Sequence, residues 1–135
     1  MSYELAILAA ATLLGLVHLS AASFTFKAQV GNKYTVGARD EDIRPAGMAG
    51  RMARAQWNFL ETYGFFAAFV LIVHVTDSSG SYSTWGASMY LGGRLLFLPL
   101  YALGVPWLRT FSWNLATLGL ALVGLQPFVG LQPFV

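Results

Sequence analysis

Residues 54–75, RAQWNFLETYGFFAAFVLIVHV, decide the fold. The second half, Phe65 to Val75, is almost wholly apolar, while the first half carries Arg54, Asn58 and Glu61. At about 100° per residue these three side chains fall within roughly 60° of one another, so they share one helical face. An ionisable group at membrane depth costs about 2.5 to 3.5 kcal/mol by insertion scales, so a chain that keeps several of them must pair them or use them. The stretch reads as a membrane helix with a polar ladder at its mouth.

Three other apolar stretches flank it: Leu5 to Phe26, Trp85 to Leu103, and Thr110 to Val129. With Trp57 to Val75 they make four, each near the roughly 20 residues that cross about 30 Å of hydrocarbon. Composition agrees. Of 135 residues, 56% are hydrophobic and only 10% charged, with a mean hydropathy of +0.58, against about 25% charged in an ordinary soluble domain. The expected fold is therefore all-α, an integral membrane four-helix bundle over residues 1–129. Small residues Ala21, Ala22 and Ser23 follow the first run as they would in a secretory signal, but Glu4 stands where a basic segment belongs and the run is too long. It is expected to be a retained first helix.

The cations follow membrane topology. Lys27, Lys33, Arg39, Arg44, Arg51 and Arg54 lie at or between the first two stretches, and Arg109 follows the turn after the third. The positive-inside rule then puts the first and third loops in the cytoplasm and both termini outside. A pI near 9.2 rests on a net charge of only +2, so the expected partner is the lipid bilayer and no nucleic acid. The chain has no cysteine, hence no disulfide and no thiol nucleophile of its own. His18 and His74 lie far apart in depth without acidic partners, and no metal is expected.

Gly31 to Gly47 is the one long connection, either a solvated linker or a partly folded lid, and Gly104-Val105-Pro106 makes the third turn tight. Gly124 to Val129, GLQPFV, is repeated letter for letter as Gly130 to Val135. The six-residue period matches no helical repeat, so residues 130–135 are set apart as a duplicated apolar tail, with Pro127 expected to end the fourth helix.

The third stretch carries Arg94, Phe97 and Tyr101 at i, i+3 and i+7, one stripe of a helix. Running antiparallel to the second stretch, it brings Arg94 to the depth of Glu61, and a direct or one-water ion pair between them is expected. Arg109 and Thr110 open the fourth helix beside Tyr101. Taken singly, Arg51 reads equally well as a headgroup anchor, Asn58 as interhelical glue and Glu61 with Arg94 as a packing lock. Together they describe a cytoplasm-facing pocket for a small, multiply anionic ligand. Gly92 and Gly93 read as close helix packing, Trp57, Trp85, Trp107 and Trp113 as an aromatic belt, and Pro99 as a kink beside Tyr101.

Arg54-Ala55-Gln56-Trp57-Asn58-Phe59-Leu60-Glu61 resembles the RAxxNxxE signature of the MAPEG family, the membrane-associated proteins in eicosanoid and glutathione metabolism. Arg39-Asp40, the Arg94 to Tyr101 stripe and Arg109 follow in the family's order. The resemblance implies a homotrimer of the bacterial type, in the inner membrane, with glutathione as co-substrate in a cleft between subunits. It implies that Arg54, Gln56, Asn58, Glu61, Arg94 and Tyr101 hold the tripeptide. Arg109 takes the place of the arginine that stabilises the thiolate, and Thr110 that of a serine. The implied activity is conjugation or reduction of a lipophilic electrophile by a glutathione transferase or peroxidase. Phe97 stands where characterised members carry Tyr or His, Trp113 replaces a Tyr, and the first helix offers no matching arginine, Lys27 or Lys33 being the substitutes. A non-catalytic member of the same fold is thus the alternative. A small multidrug-type transporter is a weaker one, since it needs an unpaired acid in the first helix, where only Glu4 is available.

Overall fold

The computed structural model describes residues 1–130, so residues 131–135 of the duplicated tail lie outside the described residues. Four long helices and one short one follow in order: α1 (Tyr3–Val30), α2 (Asn32–Val36), α3 (Gly47–Val75), α4 (Ser81–Ala102) and α5 (Pro106–Gly130). There is no strand among the described residues. By length and composition α1, α3 and α5 are long and apolar enough to cross a membrane. The remaining expected span, in α4, is not among them.

The helices begin earlier than the apolar stretches do, and polar side chains serve the first turns of α1 and α4. Ser2 accepts from the Leu5 N–H at the head of α1. The backbone N–H of Gly80 donates to Ser83 Oγ at the head of α4. Ser83 Oγ lies 2.6 Å from Glu4 Oε1 and donates its proton there, tying the start of α1 to the start of α4. Glu4 is 2% exposed, and a carboxylate beside the first turn of a helix is favoured by the helix dipole. Gln126 completes the knot, its Oε1 accepting the Ser83 N–H at 3.2 Å.

That knot explains why α5 continues through Pro127, which does not end the helix as the sequence suggested, to Gly130. Proline removes one intrahelical bond and crowds the preceding turn, but here the last turn is held from outside by α4, as neighbouring helices allow in apolar surroundings.

The closest helix pair is α4 with α5, and α1 lies along α3. The α4–α5 contact runs through small residues. A Cβ on Gly93 would lie 2.5 Å from the Ser112 carbonyl oxygen, one on Gly86 2.6 Å from that of Gly119, and one on Gly119 2.5 Å from that of Gly86. Only glycine lets the two backbones approach this far. Gly92, its neighbour in sequence, faces open space. At the other end the tight turn holds, with Gly104 at φ 70°.

Loop one is partly folded. The Gln29 side chain donates to the Arg44 carbonyl and accepts from Ala46 N–H, tying the end of α1 to the start of α3. Arg39 donates to the Thr35 carbonyl and lies over the Phe26 ring.

Gly93→Ala is expected to lower the thermal midpoint in detergent sharply, by the 1–3 kcal/mol or so typical of overpacking, whereas Gly92→Ala should match the parent protein. Equal midpoints for the two variants would refute the close α4–α5 approach.

Candidate functional site

The helical face that carries the ladder turns toward α4 and α5. An open cavity of about 270 Å³ lies there, lined by Asn58 of α3, Phe97 and Tyr101 of α4, and Arg109, Thr110 and Trp113 of α5. Tyr101 is its hub. Arg54 Nε donates to the phenol oxygen at 3.1 Å, and the Arg109 guanidinium lies 4.6 Å from the centre of the same ring. A guanidinium over an aromatic face is attracted by the ring quadrupole, so Tyr101 holds two cations at one edge of the cavity. Among the described residues Arg109 makes no side-chain hydrogen bond or ion pair, which leaves its donors for a ligand. Arg51 caps the end of α4 from α3, donating to the Ala102 carbonyl at 3.1 Å.

Arg94 lies beneath this cavity and does not line it. It is fully buried, with Nη1 donating to Asn58 Oδ1 and Nη2 to Thr62 Oγ1, both at 2.6 Å. Tyr90 continues the chain from Thr62 at 3.1 Å, and the guanidinium lies between the Tyr90 and Phe97 rings. Of the direct or one-water ion pair expected with Glu61, the direct form is absent among the described residues. Glu61 is exposed, and the one ion pair among the described residues joins Arg44 to Asp42 on the surface of loop one. Azimuth decides the direct contacts: Asn58 and Thr62, one turn apart, face Arg94 and take one donor from each terminal nitrogen, while the buried Nε has no hydrogen-bond partner among the described residues.

The remaining expected site residues divide. Arg109 and Thr110 meet at the cavity with Asn58 and Tyr101, and Arg54 reaches it through Tyr101. Gln56 does not: about 200° around α3 from Asn58, it lines two cavities on the α1 side instead. Trp113 was read as a belt residue and is half-buried in the cavity wall, while Trp57, Trp85 and Trp107 are exposed. Thr62 and Tyr90 escaped the sequence reading. Their signal was the i, i+4 spacing of Asn58 with Thr62 and of Tyr90 with Arg94. Among the described residues no group of side chains fit to hold a metal ion occurs.

These features define a class: an all-helical protein with membrane-length helices and a cation-rich, aromatic-walled cavity between three of them. The chain belongs to the MAPEG family, whose sequence profile matches residues 7–129. No curated protein and no solved structure matches it.

Away from this cavity, on α1, His18 is fully buried and stacks on Phe59 at 4.8 Å, with neither ring nitrogen hydrogen-bonded to the protein. A stranded polar group costs about 1–3 kcal/mol. His18→Phe is therefore expected to keep the fold and raise the thermal midpoint. A lower midpoint would show that the imidazole has a partner worth keeping.

Proposed function

We propose that the protein is a glutathione transferase of the membrane, conjugating or reducing a lipophilic electrophile with glutathione. The observation that carries the reading is the cavity wall itself: Arg109 and Tyr101 side by side with Asn58, and Arg54 bonded behind the phenol. Glutathione brings two carboxylates, an ammonium and a thiol. Arginine stays charged under all relevant conditions and presents a fork of donors, so Arg54 and Arg109 suit the carboxylates and the sulfur. Exposed Glu61 suits the ammonium.

A nearby positive charge favours thiolate over thiol. In this reading Arg109 stabilises the sulfur anion and the thiol proton leaves through the open side to water. In conjugation the thiolate then forms a carbon–sulfur bond as the electrophile's leaving group departs or its double bond takes up the electron pair. The Tyr101 hydroxyl stands within the same wall to orient the sulfur, and Thr110, its proton given to the Pro106 carbonyl, lines the edge. Phe97 and Trp113 supply an apolar surface for an electrophile arriving from lipid.

The assembly belongs to the same proposal. A cavity of about 270 Å³ is small beside the roughly 300–1,000 Å³ of ordinary ligand sites, and a tripeptide seated in it would have one side uncovered. A homotrimeric four-span bundle, with a neighbouring subunit closing the cleft, supplies the missing wall. The grouping of cations at the first and third loops supports a cytoplasmic opening, and the compact loops and family likeness favour a bacterial inner membrane. The non-catalytic reading draws its support from Phe97, which puts a ring without a hydroxyl at the back of the cavity.

Purified in detergent, the protein should bind glutathione by calorimetry and raise thiolate ultraviolet absorbance on binding. Arg109→Ala should keep the fold, lose the thiolate signal and reduce turnover of a lipophilic electrophile by 100-fold or so, the usual loss on removing an electrostatic stabiliser. Binding without thiolate would establish the non-catalytic reading, and no binding would end both.

A further inference from the structure

The hydrogen-bond polarity of the cavity wall is set by a residue that never reaches it. A guanidinium has only donors, so the Asn58 atom that meets Arg94 Nη1 at 2.6 Å must be the amide oxygen. Thr62 takes the second Arg94 donor at the same distance. With its oxygen engaged below, Asn58 has the amide nitrogen left for the cavity that it lines. The same logic applies one turn nearer the rim, where the Tyr101 oxygen accepts from Arg54 and its own proton is free to turn toward a ligand. Arg109 adds donors alone. Thr110 differs: its hydroxyl proton goes to the Pro106 carbonyl at 3.0 Å, which leaves its lone pairs outward at the edge.

We propose that Arg94 is a positioning residue: by holding the Asn58 oxygen it makes Asn58 an obligate N–H donor, so the deep end of the cavity selects a carboxylate over a carboxamide. A free asparagine amide turns either way and accepts from an amide ligand as readily as it donates to an acid. A clamped one cannot. The clamp is rigid because Arg94 is fully buried between the Tyr90 and Phe97 rings and is seated by the glycine contact of adjacent Gly93. This rests on the cavity being the ligand site of the proposed function, and it adds which end of an acidic ligand is read and how.

The test compares ligand pairs that differ by one group: glutathione with its two monocarboxamides, and glutarate with its monoamide, read by calorimetry and by Trp113 fluorescence. The parent protein should favour one acid over its amide by about tenfold, the scale of a charge-assisted bond. Asn58→Asp still accepts from Arg94 but offers no N–H, and it should lose or invert that preference while remaining folded. In a double-mutant cycle, Arg94→Met and Asn58→Ala should each remove the preference, and the double variant should lose no more than either. Arg94→Lys, which keeps a donor for the amide oxygen, should restore most of it.

If Arg94→Met reduces the preference by the same factor in the Asn58→Ala background, Arg94 acts through its charge and the clamp is refuted. If Arg94→Met fails to fold, Asn58→Asp decides alone, and parent-like acid preference in that variant refutes the proposal. A parent protein that ignores glutathione but distinguishes glutarate from its amide removes the tripeptide reading and leaves the clamp standing. One that binds glutathione with equal affinity to both amides does the reverse.

Discussion

A fully buried guanidinium in an apolar helix packing must find every partner inside the protein. Arg94 finds two oxygens on one face of α3 and two aromatic rings on its own helix. A charge this deep, left without partners, would cost several kcal/mol, and so the azimuth of α3 relative to α4 is not free. Asn58 and Thr62 must face Arg94. Once they do, Arg54 and Tyr101 meet one and two turns nearer the helix ends, and the cavity wall forms as a consequence.

The glycines of α4 and α5 supply the other half of that constraint. Hydrocarbon gives helices little reason to associate beyond packing and hydrogen bonding, so contact area must come from close backbone approach. Gly86, Gly93 and Gly119 remove the side chains that would hold α4 and α5 apart. The hairpin is as close where Gly93 meets Ser112 and Ala116, one residue before Arg94, as where Gly86 meets Gly119. Arg109 and Trp113 are thereby brought onto the Tyr101 side of the cavity. At the opposite end Glu4, Ser83 and Gln126 tie three helix termini together, so the hairpin cannot slide along its axis without breaking buried polar bonds.

The residue pattern made the helices legible, because long apolar runs and polar turns are local signals. The family was legible too, since Arg54, Asn58 and Glu61 occur with fixed spacing on one helix. Longer-range pairing was harder. Helical periodicity put Glu61 and Asn58 on the same face, and depth put Arg94 opposite both. The choice between a carboxylate and an amide was made by tens of degrees of rotation that a single helix does not encode. Gln56 differs: two residues from Asn58, its place on the opposite side of α3 follows from helical periodicity, and only the family resemblance had named it for the site. Pro127 failed as a stop signal because proline reports local cost, whereas the turn is also held from α4, by the Ser83 N–H donating to the Gln126 side chain forty-three residues on. Glu4 looked like a mere counter-indication of a signal segment, and only packing reveals that it fastens α1 to α4.

An acid at the depth of Arg94 would have closed the site. A carboxylate paired directly with this guanidinium would satisfy it so fully that Asn58 would be free to rotate and the cavity would lose its deepest fixed dipole. The neutral partners Asn58 and Thr62 each take one donor from a terminal nitrogen of Arg94 without cancelling its charge, while the buried Nε has no hydrogen-bond partner among the described residues. In a low-dielectric surrounding that uncancelled charge is felt several ångströms away, and it reinforces Arg54 and Arg109 at the cavity wall. The same arrangement that leaves Glu61 exposed therefore keeps the field of the cavity positive. The proposed anion site depends on that separation of the exposed acid from the buried cation.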